Sequence, residues 1–529
     1  MRCRLPFYVL PFLGALACHT KVAPRATSAV GADWPTYNGN LEGTRFSSLT
    51  QITAANAPRI GRACTFDTGE QMSMQSGPVV VNGVLYLTTD TSTYAIDAAT
   101  CARRWQTSRS YTPLGFLKNN HGVAYMNGRL FRVNGGVHAY ALDAATGKLL
   151  WDVSFGERQG EGAPMAPIAW NGLVFVGNGG GDNLGVRGHV HALDAATGRE
   201  VWRFEVVPDT GAPRATWPSG GDAAPPTGGG IWSSFTLDPA TGTLYVPAGN
   251  PAPDFMPHLR EGANLYANSL IAIDARTGRM RDYVQVLDGR RDWHDWDVSA
   301  TPALIHTRGG RALLALAGKD GLLHGVDPAP MRILWSVPTT TRENIEAPLT
   351  NASATRFCPG TQGGSEWNGP AYDPGQNLVF TGAVDWCARI RLVHPDSIPH
   401  PLPIDFTGNA GGGFGEFDPK ESWKGWVTAA DPDAGQIRWR YQARTPILAA
   451  VTSTAGGIVI TGDMTGRLIV LDAKSGNVLR EVETGAPMGG GIITYEVGGR
   501  QYIAAAGGSI SPIWPLDPAT SRVTVFRVQ

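Results

Sequence analysis

Along most of this chain, short runs of alternating apolar and polar side chains are cut off by Asp, Asn, Gly or Pro, and no stretch sustains the spacing of an amphipathic helix. The pattern predicts strands joined by turns. One phrase recurs eight times: an apolar residue precedes Asp, a short turn follows, and an apolar or aromatic strand resumes. It reads YAIDAATCARRW from Tyr94, YALDAATGKLLW from Tyr140, HALDAATGREVW from His191, IAIDARTG from Ile271, HGVDPAPMRILW from His324, VTAADPDAGQIRW from Val427, IVLDAKSG from Ile469 and WPLDPATSRVTVF from Trp514. Asp accepts hydrogen bonds from the backbone just beyond it, and Thr-Gly reverses the chain where glycine relieves the strain of a positive φ. Each phrase is therefore expected to form a hairpin.

Upstream of most phrases lies a second strand–turn–strand candidate, such as VVVNGVLYL from Val79, AYMNGRLFR from Ala124, PIAWNGLVF from Pro167, LDPATGTLYV from Leu237, YDPGQNLVF from Tyr372 and STAGGIVIT from Ser453. Two hairpins make a four-stranded blade, and self-similarity at a period of tens of residues marks a repeat architecture. The predicted fold class is all-β: an eight-bladed β-propeller of four-stranded antiparallel blades over residues 33–529. The phrase recurs after 46 residues from Tyr94 to Tyr140, but after 80 from His191 to Ile271 and 103 from His324 to Val427. The excess belongs in loops, TWPSGGDAAPPTGGGIW and RFCPGTQGGSEWNG among them, expected to cover one mouth of the propeller.

Composition agrees. A chain of 529 residues would ordinarily divide into domains, but a propeller grows by adding blades, and 67 glycines, 38 prolines and 16 tryptophans suit many turns between packed aromatic blades. A formal charge of −1 with no basic stripe removes the electrostatic case for nucleic acid. Small molecules or proteins are the expected partners.

The first residues read as export. Arg2 and Arg4 precede an apolar stretch from Leu5 to Leu16, too short to span a bilayer, and Ala15-Leu16-Ala17 has the small-x-small pattern of a cleavage site. Residues 1–17 are expected to be a signal peptide and 18–32 a linker, which places the chain in the periplasm. Cys18 follows the cleavage site within an imperfect lipobox, so a lipid anchor through Cys18 and ordinary secretion both stay open. Without Cys3 and Cys18, Cys64, Cys101, Cys358 and Cys387 form an even set suited to an oxidising compartment. No CxxCH occurs, so no covalently attached haem is expected.

The segments DWPTYNGNLEGTRFSSLTQI from Asp33, VGNGGGDNLGVRGHVHALDAATGREVWRF from Val176, GANLYANSLIAIDARTG from Gly262, DWHDWD from Asp292 and TYEVGGRQYIAAAGG from Thr494 resemble pyrroloquinoline-quinone (PQQ) dependent alcohol dehydrogenases, in that family's order and spacing. The resemblance implies an eight-bladed propeller with PQQ and a metal ion near its axis. Alcohol oxidation needs a base for the hydroxyl proton beside an electrophilic cofactor carbonyl, and a hard cation on that carbonyl oxygen makes it a better hydride acceptor. By resemblance, Asp182 stands at an acidic metal ligand, Asn250 at the amide ligand, Asp295 at the general base that also binds metal, Lys319 at the residue bonding the quinone oxygens, and Trp232 at the indole on which the flat cofactor lies. Taken singly, each has a structural reading, since propeller turns use Asp and Asn to satisfy backbone groups. Taken together and in order, they favour function.

The departures are equally specific. No cysteine pair stands near Gly115-Phe116, His121 replaces an arginine, Gln75 replaces a glutamate, and Leu448 stands where tryptophan is frequent; Gln75 and His121 remain candidates for hydrogen bonding to PQQ. Asp297 lies two residues after the proposed base, as in lanthanide-using relatives, and is a fourth candidate metal ligand by that resemblance, whereas Asp182 is one methylene shorter than the usual glutamate. Calcium is the expected ion, with a lanthanide as its alternative. If DWHDWD is extended, Asp295 and Asp297 share a face. Cys358 and Cys387 flank the YDPGQNLVF hairpin, and family members carry a similar loop-tying bridge, so a disulfide is expected there, with Cys64–Cys101 as a second pair. The expected activity is periplasmic oxidation of an alcohol, sugar or polyol, electrons passing to an external acceptor such as cytochrome c or quinone. The alternative is a non-enzymatic propeller lipoprotein that scaffolds envelope-protein assembly.

Overall fold

The computed structural model describes residues 28–116, 118–219 and 224–529, so the expected signal peptide and Cys18 lie outside the described residues. The first blade shows how the sequence pattern becomes structure. Strands Val79–Val81, Val84–Thr88, Ser92–Asp97 and Arg103–Ser108 pair in sequence order, all antiparallel. Asn82 and Gly83 take φ of 50° and 71° between the first two strands, the left-handed pair that a tight hairpin needs. Blades 2 to 7 occupy residues 124–154, 168–205, 236–285, 303–338, 371–443 and 452–483.

The recurring phrase encodes both a turn and a contact between blades. In blade 2, Asp143 Oδ1 accepts the Thr146 N–H at 2.9 Å, and Gly147 follows at φ 71°. The tryptophan that ends five of the phrases reaches the same turn of the following blade. The indole N–H groups of Trp105, Trp151, Trp202, Trp335 and Trp439 each donate at 3.1 Å, to the carbonyls of Ala144, Ala195, Ala275, Pro432 and Ala473. Each ring also covers the turn glycine of that blade, where a Cβ on Gly147, Gly198, Gly278, Gly435 or Gly476 would lie 2.5–2.8 Å from the indole. Where tryptophan is missing the position still bridges: Asp282 Oδ2 accepts the Met331 N–H at 2.8 Å, and Arg480 Nε donates to the Ile60 carbonyl at 3.3 Å. Aliphatic residues of successive sheets fill the space between blades.

Blade 8 departs from the phrase at Trp514. Its strands are Ile492–Val497, Arg500–Gly507 and Arg522–Val528, and the fourth is Ile60–Asp67 from the start of the chain, paired from Ile60↔Val528 to Asp67↔Arg522. Trp514 to Asp517 is loop, not strand. The N-terminal strand satisfies the last blade's open edge and closes the ring. Tyr495 completes the seam by donating to the Ala98 carbonyl at 2.6 Å, and a disulfide joins Cys64 on the closing strand to Cys101 in the first blade's turn. Cys101 stands where five other blades have glycine, at φ 61°. The expected linker of residues 18–32 also changes at its end, because Val30 already pairs with Ser47.

The long insertions carry their own structure. Thr355–Phe357, Ala388–Ile390 and Glu416–Phe417 form a small sheet, and the Cys358–Cys387 disulfide lies at the end of its Phe357↔Ala388 pairing.

Candidate active site

In an antiparallel blade, the loop entering the first strand and the loop joining the second to the third open on one face, while the Asp turns open on the other. Every residue of the candidate site comes from the first kind of loop. Asp182, Asn250 and Lys319 follow second strands that end at Gly177, Pro247 and Ala317; Trp232, Asp295 and Gln75 precede first strands that begin at Thr236, Ala303 and Val79. Ring geometry therefore gathers residues that are far apart in sequence.

DWHDWD is not extended. Asp295 has φ 61°, a left-handed conformation that Asp tolerates better than most residues, and the two indoles are anchored outward: Trp293 donates to the Ala347 carbonyl and Trp296 to that of Pro359, both at 3.2 Å. Asp295 and Asp297 nevertheless converge on one buried ammonium. Lys319 Nζ lies 3.1 Å from Asp295 Oδ2 and 2.9 Å from Asp297 Oδ2. The other oxygen of Asp297 accepts the Asn250 N–H at 3.0 Å, a contact that Gly249 permits because a Cβ there would lie 2.4 Å from it.

One carboxylate oxygen each from Asp182, Asp254 and Asp295 lies within 4.8 Å of the others. Asp297 is outside this group, its oxygens held by Lys319 and Asn250. Asn250 adjoins it, since its Nδ2 donates to Asp254 Oδ1 at 3.0 Å. Arg260 braces the loops beneath. Its five N–H donors go to the carbonyls of Pro253, Asp254, Gly289 and Asp292 and to Asn264 Oδ1 at 2.6–3.3 Å, tying the Asn250–Asp254 loop to the segment leading into Asp295.

Burial, reinforced by like charge, pushes the Asp254 and Asp295 carboxyls well above the usual range, although Lys319 opposes this at Asp295. Asp182 is raised to about 6 by burial and Asp297, and Glu366 to about 7 by burial. Burial lowers Lys319, but Asp295 and Asp297 outweigh it and hold its ammonium well above the ordinary value. Asp254 Oδ2 and Glu366 Oε1 are buried with no hydrogen-bond partner. Crowded oxygen donors with uncompensated charge fit a hard cation.

Above the carboxylates is a cavity of about 390 Å³. Trp232, Phe116, Phe414 and Trp514 give it apolar walls, while Gln75, Asn119, Glu366 and Lys319 supply polar groups, a lining that fits a planar polar molecule. His121 stands behind the wall. Its Nε2 is 3.0 Å from Gln75 Oε1, and its ring stacks on Trp367 at 5.4 Å. Gln75 Oε1 also accepts Asn119 Nδ2, and its Nε2 donates to the Ile510 carbonyl at 3.1 Å, so this pair shapes the wall through bonds to protein. Leu448 is buried behind the cavity among aromatic side chains.

Motif reading passed over Asp254, Glu366 and Arg260. Asp254 stands four residues beyond Asn250 in GNPAPDF, and Glu366 adjoins Trp367 in GGSEW. Carboxylates in Gly- and Pro-rich loops were the only available signal.

A β-propeller that gathers carboxylates, a lysine and an indole around a buried cavity defines a cofactor-dependent enzyme site. Residues 34–338 match the family described as "Glucose/ethanol/alcohol dehydrogenase, beta-propeller domain", and residues 423–524 match "Outer membrane protein assembly factor BamB". The chain is 30% identical to a quinohemoprotein alcohol dehydrogenase of Comamonas testosteroni over 92% of its own length and 74% of the relative's. The crystal structure of that species' quinohemoprotein alcohol dehydrogenase superposes with a TM-score of 0.82 at 27% identity, covering 94% of this chain and 80% of that one. A lanthanide-dependent methanol dehydrogenase of Methylacidiphilum fumariolicum is 27% identical over 90% of this chain and 84% of its own. The chain belongs to the PQQ-dependent alcohol dehydrogenase family and is an oxidoreductase of the quinoprotein type.

Proposed function

We propose that this chain oxidises an alcohol in the periplasm, using PQQ and a bound metal ion and passing the electrons to a separate acceptor such as cytochrome c or quinone. The observation that carries the reading is the convergence of Asp295, Lys319 and the carboxylate group beneath a cavity bounded by Trp232. Asp182, Asn250 and Asp295 would hold the metal; Trp232 and Lys319 would hold PQQ, with Gln75 and His121 shaping the wall beside it. PQQ, when bound, supplies an electrophilic carbonyl able to accept hydride.

The chain's own residues manage the proton. Burial makes the Asp295 carboxylate a stronger base than an exposed one, while Lys319 at 3.1 Å favours its ionised form, so it can take the hydroxyl proton of an alcohol. Lys319 stays charged because two carboxylates hold it. Apolar walls exclude water and strengthen these interactions.

The scaffold alternative draws on the match over residues 423–524, a stretch that contains none of these site residues. The decisive test is purification from cells supplied with PQQ and metal, followed by an absorption spectrum and dye-linked alcohol oxidation. Retained PQQ and alcohol-dependent dye reduction are expected. Protein that retains no PQQ and reduces no dye with calcium or a lanthanide would leave the scaffold reading standing.

A further inference from the structure

We infer that Asp254 is a direct anionic ligand of the metal ion and that its charge makes the site select a trivalent hard cation over calcium. The inference rests on the cation site proposed above but concerns a residue outside the set implied by resemblance.

Two independent observations point to Asp254. One of its oxygens lies within 4.8 Å of ligand oxygens on Asp182 and Asp295. Its Oδ2 is buried without a partner, in a residue only 1% exposed. A carboxylate oxygen in that position is costly unless a cation binds it. Its other oxygen is occupied by Asn250 Nδ2, which fixes the carboxyl group, and Arg260 holds the Asp254 carbonyl at 3.3 Å, which fixes the loop.

Charge selects the ion. The buried carboxylates of Asp182, Asp254, Asp292, Asp295 and Asp297 face two buried cations, Lys319 and Arg260. With all five ionised around a bound cation, three negative charges would be left for it beyond those two partners, even before Glu366 is added. Each anionic oxygen interacts more strongly with a trivalent ion than with a divalent one, and ligand charge tunes hard-cation affinity. Asp297 is less suited to this role because Lys319 and Asn250 already occupy its oxygens.

The test uses the full mature chain prepared without PQQ and stripped with a chelator. Terbium is titrated while tryptophan is excited, with Trp293 and Trp296 as sensitisers, and bound terbium is then displaced with calcium. Wild type should bind one terbium, and calcium should displace it only at about a hundredfold excess or more. Asp254→Asn should weaken terbium binding by at least about tenfold, the loss that removal of even an outer partner of a metal ligand causes. Its terbium-to-calcium ratio should narrow. Asp254→Glu keeps the charge and should retain most of the binding, which covers the case in which the amide variant fails to fold.

Unchanged terbium affinity in Asp254→Asn, equal loss of both ions, or calcium preference in wild type would each overturn the inference. Wild type that binds neither ion would overturn the cation site itself.

Discussion

Asp295 and His121 show opposite uses of burial. Burial and neighbouring carboxylates raise the Asp295 carboxyl, so it gains basicity, and Asp295→Asn removes the proton acceptor with little change in volume. Turnover should fall by about a hundred- to ten-thousandfold with PQQ still retained, as read by dye-linked kinetics beside the absorption spectrum. Near wild-type turnover would refute the assignment. Burial lowers the His121 imidazole to about 3, whereas the unfolded chain protonates it near 6.5. Its neutral form therefore contributes stability that is complete above pH 6.5 and is lost as pH falls toward 3, at most about 5 kcal/mol. Melting temperature measured across that range should fall less steeply in His121→Gln, and parallel curves would show that another group governs the acid response. That Asp182, Asn250, Asp295, Lys319 and Trp232 lie close together was legible because each sits in a recognisable motif. Asp254 and Glu366 were not, because a lone carboxylate in a loop looks like any turn residue until neighbouring blades bury it.

Between single residues and the whole ring lies the blade contact, which is written almost entirely within one phrase. Asp closes the turn, glycine four residues later keeps its surface clear, and tryptophan eight residues after Asp covers the equivalent glycine next door. Trp202 is 9% exposed, bonds the Ala275 carbonyl at 3.1 Å and lies against Gly278. Trp202→Ala should cost about 3–5 kcal/mol through the cavity it leaves. Gly278→Ala combines φ 72° with a Cβ 2.8 Å from the indole and should cost more than about 1 kcal/mol. Calorimetry should show both variants melting below wild type; a wild-type melting point in Trp202→Ala would show that this interface adds little to stability. The tandem phrases made the hairpins legible, and the hand-over from blade to blade follows from the same residues.

At the scale of the molecule, the ring is closed by pairing between its two chain ends, Ile60–Asp67 against Arg522–Val528, and by the Cys64–Cys101 disulfide, with a sequence separation of 37. A cross-link of that span stabilises by about 4 kcal/mol in the chain-entropy model. Replacing both cysteines by serine should lower the melting temperature while the site is preserved, and mass spectrometry of unreduced wild-type peptides should show the Cys64–Cys101 and Cys358–Cys387 links. An unchanged melting temperature would mean that strand pairing alone closes the ring.

By itself, the sequence determined that this chain is a propeller of eight four-stranded blades and where seven of the eight phrase turns fall. Those properties depend on residues a few positions apart, whose hydrogen bonds and side-chain alternation act locally. Tertiary structure decided the rest. It turned the phrase at Trp514 into cavity wall and drew the eighth blade's last strand from the start of the chain. It bent DWHDWD through a left-handed Asp295, and it set Asp254 beside Asp182 and Asp295. Each of these depends on ring closure, which brings one kind of loop from every blade to a common face and withdraws water from the groups that meet there. That proximity and burial, more than the identity of any one residue, raise the carboxyl groups and gather oxygen donors that fit a cation.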